Sequence, residues 1–366
     1  MNIGIFISRL TKTGPVNLVY DLLASTKNLP VKFIIFTLRP EAPQNTRKKD
    51  FEVLNIPVHC LHSKWQFKIF LNLKKNLLVH NIDVVHGHCF RSFFFLSFLK
   101  KKKIFTVHNN FYHDYPLNHG KIGRAMVIFE HMLLSKWDKI ICCSKHLELL
   151  LRKKTGKKNI FHVVNGRQAC FVMNQCHKDK NDFSAINTYI YVGSIDKRKN
   201  VKLLCEQFSR NALPNEKLIC AGSGSDLELI RQMNYPNVEM LGFVENIPEI
   251  LSIADYFVSI AISEGLPLAV IEALSCGLPV ILSDIPSHRD FFSLNDKIGV
   301  LVTGDDLKHA LEKVRISDYK EMSQQAYNTY MKHLTAEKMT AQYIMHYQTL
   351  SYDSVNFIKE NVKKHK

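Results

Sequence analysis

No apolar run in this 366-residue chain approaches the roughly 18 residues that cross a bilayer, and Met1-Asn2-Ile3-Gly4-Ile5-Phe6-Ile7 reads as a short strand rather than an export signal. A cytoplasmic protein is therefore expected. The nine cysteines, Cys60, Cys89, Cys142, Cys143, Cys170, Cys176, Cys205, Cys220 and Cys276, are odd in number and lack the paired rhythm of zinc ligands, which fits free thiols in a reducing compartment. Cys170, Cys176 and His177 could ligate a metal, with buried thiols as the alternative reading. The fingerprint G-x-G-x-x-G is absent, which argues against a dinucleotide, and no cofactor is expected. Acidic side chains are scarce in one half only. Residues 1–170 hold 9 Asp or Glu against 28 Lys or Arg, a balance of +19, whereas residues 171–366 hold 24 against 21. So uneven a charge suits a first half that meets a polyanion, although a lysine-rich genome would give the same excess. No nucleic-acid motif is recognisable, so an anionic membrane surface is the expected partner.

The length points to two domains of similar size, and a 46% hydrophobic fraction supplies two cores. Apolar strand runs alternate with helical runs through the first half: Asn2 to Ile7, Val16 to Lys27, Val31 to Thr37, Lys68 to His80, then Val84-Val85 entering His86-Gly87-His88. The alternation continues through Lys103 to Val107, Ile122 to Ser135, Lys139 to Cys143, Lys145 to Lys154 and Ile160 to Val164. This is the pattern of a doubly wound α/β domain. A polar stretch interrupts it, which divides the chain into a first domain 1–170, a linker 171–185, a second domain 186–335 and a helical tail 336–366.

The stretch Tyr256 to Asp284 is the richest in information. Tyr256-Phe257-Val258-Ser259-Ile260-Ala261-Ile262 reads as a buried strand, Gly265-Leu266-Pro267 as a turn, Leu268 to Cys276 as a helix that Gly277 ends, and Val280-Ile281-Leu282 as the next parallel strand. Pro267 suits a first helical position. Backbone amides of Gly265, Leu266 and Leu268 at such a helix start favour a phosphate. Glu264 lies on the rim of that cradle and Glu272 about one and a half turns into the helix, so one carboxylate could reach a sugar and the other a ribose.

Glu264 to Glu272, with Ala273-Leu274-Ser275-Cys276-Gly277-Leu278-Pro279-Val280-Ile281 behind it, resembles the E-x7-E signature of the retaining GT-B glycosyltransferases of family 4. The resemblance implies two facing Rossmann-like domains with a C-terminal helix crossing back onto the first. It also implies a nucleotide-diphosphate-sugar donor, UDP-sugar foremost, and Glu264 and His108 as the catalytic residues. His108 closes Thr106-Val107-His108, which resembles the family's histidine at the donor sugar; His86 and His88 carry no catalytic assignment. Tyr191 to Asn200 resembles the family's first loop of the second domain, with Lys199 matching its phosphate-binding lysine and Ser194 standing where the family has arginine. Arg198 or Arg9 could substitute for that arginine. Gly14, Gly222 and Val244 resemble donor-side positions in the loops after a first-domain strand and two second-domain strands, although Thr13-Gly14 only partly matches the family's glycine pair.

No D-x-D triplet occurs, so the usual metal ligands of GT-A transferases are missing and no metal is expected. By resemblance the setting is bacterial surface polysaccharide assembly on a lipid-linked or oligosaccharide acceptor. A sugar-nucleotide epimerase of GT-B architecture and a basic nucleic-acid-binding protein are the alternatives. Phe90 to Leu99 with Lys100-Lys101-Lys102-Lys103, and Trp65 to Lys75, mix aromatics with lysines as interfacial segments do; core helices with solvated loops are the other reading.

Overall fold

The computed structural model describes residues 1–26, 29–42, 45–169, 187–304 and 306–364. The expected linker 171–185 lies outside these residues, as do Cys170, Cys176 and His177. The chain divides into two compact units, Met1–Gly166 with Ala336–Lys366, and Arg167–Thr335.

In the first unit seven parallel strands, β1 Asn2–Ile7, β2 Lys32–Thr37, β3 Val58–Cys60, β4 Val84–Gly87, β5 Lys102–Val107, β6 Lys139–Cys142 and β7 Ile160–His162, lie in the order β3-β2-β1-β4-β5-β6-β7. The central strands are sealed on both faces, which is why they read as unbroken apolar runs: Ile3, Ile5, Phe6, Val84, Val85 and Ile104 are fully buried. Two pieces were not legible from pattern, the short helix Lys48–Val53 and the three-residue edge strand β3, since neither is long enough to show a period. After β5 a long helix runs Phe111–Leu133 with a non-helical Gly120 inside it (φ 54°).

The last two helices among the described residues are Tyr319–His333 and Ala336–Lys364, the second of them the expected helical tail. The second belongs to the first unit, where Tyr343 is hydrogen-bonded to Thr106 Oγ1 at 3.1 Å and Tyr347 to His86 Nδ1 at 2.6 Å. Among the described residues no helix is long and apolar enough to cross a membrane.

The second unit repeats the winding with six parallel strands: β8 Asn187–Val192, β9 Glu216–Ala221, β10 Val238–Gly242, β11 Tyr256–Ser259, β12 Val280–Ser283 and β13 Gly299–Val302, ordered β10-β9-β8-β11-β12-β13. Its core joins Tyr189, Tyr191, Phe208 and Tyr256 to aliphatic residues of the flanking helices. The strand order reverses between β8 and β11, as it does between β1 and β4 in the first sheet. Open α/β sheets bind ligands outside the carboxyl ends of the strands at that reversal, so the loops after β8 and β11 are where a site belongs.

Candidate functional site

The loop after β8 is a turn organised by Asp196. Its Oδ1 accepts the Lys199 N–H at 3.0 Å and its Oδ2 the Ser194 hydroxyl at 2.7 Å. Ser194 is thus a turn residue here, too short to reach a phosphate as an arginine would. The turn aims its two cations at the loop after β11: Arg198 Nη1 donates to the Ser263 carbonyl at 2.8 Å and to Glu264 Oε2 at 3.1 Å, while Lys199 Nζ donates to Glu264 Oε1. A backbone bond from Ile262 N–H to the Arg198 carbonyl, 2.9 Å, ties the loops together. Glu264 is buried. Burial pushes its carboxyl up, but the Lys199 ammonium and the Arg198 guanidinium outweigh this and hold it below the ordinary glutamate range.

Beyond Glu264 the chain turns through Gly265 and the buried Leu266 into the helix Leu268–Ser275. Pro267 precedes the first turn as an extended N-cap rather than occupying the first helical position, and no side chain caps this start. Gly277 ends the helix in the left-handed region (φ 72°), a conformation that favours glycine. Glu272 is buried on this helix and paired with Arg167 at 2.7 Å. Nothing in the sequence singled out Arg167, which follows Asn165-Gly166 and meets Glu272 only through the fold.

His288 was missed as well. It lies in the helix Pro286–Leu294 after β12, fully buried, with Nδ1 2.9 Å from the Ser283 carbonyl. A carbonyl only accepts, so Nδ1 carries the proton and Nε2 is left as a buried acceptor without a partner among the described residues. Burial lowers His288 to about 4, against the pull of Glu264, so the ring is neutral near pH 7. Its only local signal was a serine five residues before a histidine.

Gly222 has a packing reason to be glycine. At φ 152° an added Cβ would stand 1.7 Å from the Gly193 carbonyl oxygen, because the loop after β9 lies directly against the loop after β8. Gly222→Ala is expected to cost about 3 kcal/mol through forced backbone movement, read as a lowered melting temperature. Val244 lies half-buried in the loop after β10, beside the exposed Phe243.

In the first unit Gly14 opens the helix Gly14–Ala24 instead of forming a turn, and an added Cβ there would meet nothing within 4 Å. The protein's own packing does not demand glycine at that point. His108, after β5, is hydrogen-bonded through Nε2 to His88 Nδ1 at 3.1 Å, and the His88 ring lies 4.0 Å from that of His86. Burial lowers His108 to about 4, so it too is a neutral imidazole near pH 7. Among the described residues no group of three or more His, Cys, Asp or Glu is arranged to hold a metal ion.

The second unit therefore offers two cations and a carboxylate at the sheet's reversal, with a second carboxylate, Glu272 of the adjoining helix, paired to Arg167. Such a set can take a ligand that is anionic at one end and rich in hydroxyls at the other.

Comparison with known proteins gives two family matches: residues 13–167 match the family described as Glycosyltransferase Family 4, and residues 174–332 that described as Glycosyl transferases group 1. Similar relatives include the Escherichia coli O-antigen biosynthesis glycosyltransferase WbnH, 28% identical over 57% of this chain. The match spans 60% of WbnH's own length. The E. coli O-antigen biosynthesis glycosyltransferase WclY is 24% identical over 96% of this chain and 99% of its own. Among solved structures, Anabaena Alr3699/HepE in complex with UDP and glucose shares the fold with a TM-score of 0.76, at 15% identity over 96% of this chain and 99% of its own.

Proposed function

The chain belongs to the GT-B glycosyltransferases of family 4, and from that premise we propose that it moves a sugar from a nucleotide-diphosphate donor to a hydroxyl of a lipid-linked or saccharide acceptor in surface polysaccharide assembly. A UDP-sugar is the favoured donor; the UDP complex of Alr3699/HepE and the O-antigen role of WclY support the reading. The observation that carries it is the convergence of Arg198 and Lys199 on Glu264 at the β8/β11 reversal.

Lys199, with Arg198, neutralises the diphosphate as the bond from the sugar's C1 to phosphate oxygen breaks and the bond to the acceptor oxygen forms. The acceptor proton goes to the departing phosphate, and the anomeric configuration is retained. Amides at Gly265 to Leu268 face the phosphates. Glu272 holds the ribose and Glu264 the transferred sugar, each exchanging its present cation for ligand hydroxyls. Arg198 takes the place of the arginine missing at Ser194. No metal or cofactor enters these steps. The enzyme acts in the cytoplasm, at a membrane whose anionic surface suits the basic first half.

A ligand-detected binding screen of the whole chain against UDP-, GDP- and ADP-sugars tests this. One nucleotide class is expected to bind, with Glu272→Ala weakening it at least about tenfold, since a lost charge-assisted hydrogen bond is worth about 1.5–3 kcal/mol. Folded protein that binds none of the three overturns the reading, and donor turnover without acceptor would make it an epimerase.

A further inference from the structure

The helix Gln66–Val79 is apolar on two opposite faces. Ile69, Leu73 and Leu77 are buried against the first unit's core. On the other side Phe67, Leu71 and Leu78, spaced by four and seven residues so that they share one stripe, are 70%, 48% and 73% exposed. Trp65 precedes the stripe and Val79 ends it, both exposed. Lys64, Lys68, Lys74 and Lys75 stand in solvent around it, and among the described residues none is paired with a carboxylate. No Asp or Glu occurs anywhere from residue 53 to residue 82. Arg91, which donates to Gln66 Oε1 at 3.0 Å, links this helix to Phe90–Ser97, where Phe94 and Phe98 are exposed in turn.

We propose that the helix Gln66–Val79 is an interfacial helix that lies in the headgroup region of an anionic bilayer. Phe67, Leu71 and Leu78 enter the acyl boundary with Trp65 at the headgroup level, and the four lysines extend to lipid phosphates. The charge pattern selects this occupant. A second copy of the chain meeting the face about a two-fold axis would set lysines against lysines with no acid to relieve them. A nucleic acid offers phosphates to the lysines but no apolar layer for the leucine and phenylalanine stripe. An anionic leaflet offers both, phosphates to the lysines and an acyl layer to the stripe. The inference rests on the membrane part of the function proposed above and is independent of the transfer chemistry.

The test is flotation of the whole chain with phosphatidylcholine vesicles, with and without phosphatidylglycerol, at low salt. Binding is expected to the phosphatidylglycerol vesicles only, and to fall as salt rises. The triple variants Phe67→Ser/Leu71→Ser/Leu78→Ser and Lys68→Glu/Lys74→Glu/Lys75→Glu should each weaken it about a hundredfold, three contacts of about 1 kcal/mol or more apiece. Both should keep nucleotide-sugar binding, whereas Leu149→Ser, an exposed leucine on the helix Lys145–Thr155, should change neither. Failure of the wild type to bind either vesicle, or binding by both triple variants at wild-type strength, overturns the proposal while leaving the donor-binding result untouched. A wild-type dimer in sedimentation that the serine variant converts to monomer would also overturn it, by making the face a contact between copies.

Discussion

Replacing Glu264 by Gln is expected to lower kcat/KM about a thousandfold under the proposed function, in which the carboxylate accepts two hydrogen bonds from the transferred sugar, each worth about 1.5–3 kcal/mol. The loss should fall on kcat if those bonds strengthen as the sugar leaves, and on KM if they do not. Stability should drop as well. Glu264 is the shared counter-ion of Arg198 and Lys199, whose side chains are only 17% and 14% exposed, so the neutral amide takes the shared carboxylate from two confined cations, at a cost of about 3 kcal/mol. Activity must therefore be measured below the variant's melting temperature. The sign of the pH dependence follows from the same contacts. With the carboxyl held below its ordinary range by Lys199 and Arg198, Glu264 of the free enzyme should add no inflection to the pH profile of kcat/KM above the ordinary glutamate range. An inflection near pH 6 in the wild type that vanishes in Glu264→Gln would contradict this assignment.

Lys199→Ala should reduce kcat by about a thousandfold too under the same proposal, in which its charge meets the leaving phosphate at the scale of an oxyanion-hole donor. Its stability effect should be smaller than that of Glu264→Gln, because Glu264 retains Arg198. Comparison of the two melting curves separates pairing from catalysis. Lys199→Arg should restore part of the donor affinity by charge but less of the turnover, as a planar fork cannot replace a compact ammonium held by the Asp196 turn. Unchanged turnover in Lys199→Ala would remove this lysine from the proposed chemistry.

The alternation of buried strands with helices could be read from the chain, because a parallel sheet covered on both faces leaves apolar runs and glycine stops in the sequence. The helix after Glu264 is an instance: its start at Leu268 and its end at Gly277 were legible, while Pro267 caps the helix instead of occupying its first position. The short helix Lys48–Val53 and β3 left no such trace. At the site the contrast is sharper. The residue types and spacing from Glu264 to Glu272 pointed to hydroxyl and phosphate binding on local sequence alone, whereas a phosphate role for Lys199 came only with the family resemblance.

Which cation meets which carboxylate was decided only by the fold. Arg198 reaches Glu264 across 66 positions, and Arg167 reaches Glu272 from outside the stretch that carried the motif. His288 is buried by the helix after β12, where only a serine five residues earlier distinguished it from a surface histidine. The physical reason is the strand order. Periodicity along a chain encodes which side chains are sheltered from water, so the sequence by itself determined the class of fold and the chemistry on offer. The tertiary structure decided the pairing, because β8 lies beside β11 in the sheet and only that adjacency brings the two loops into hydrogen-bond range.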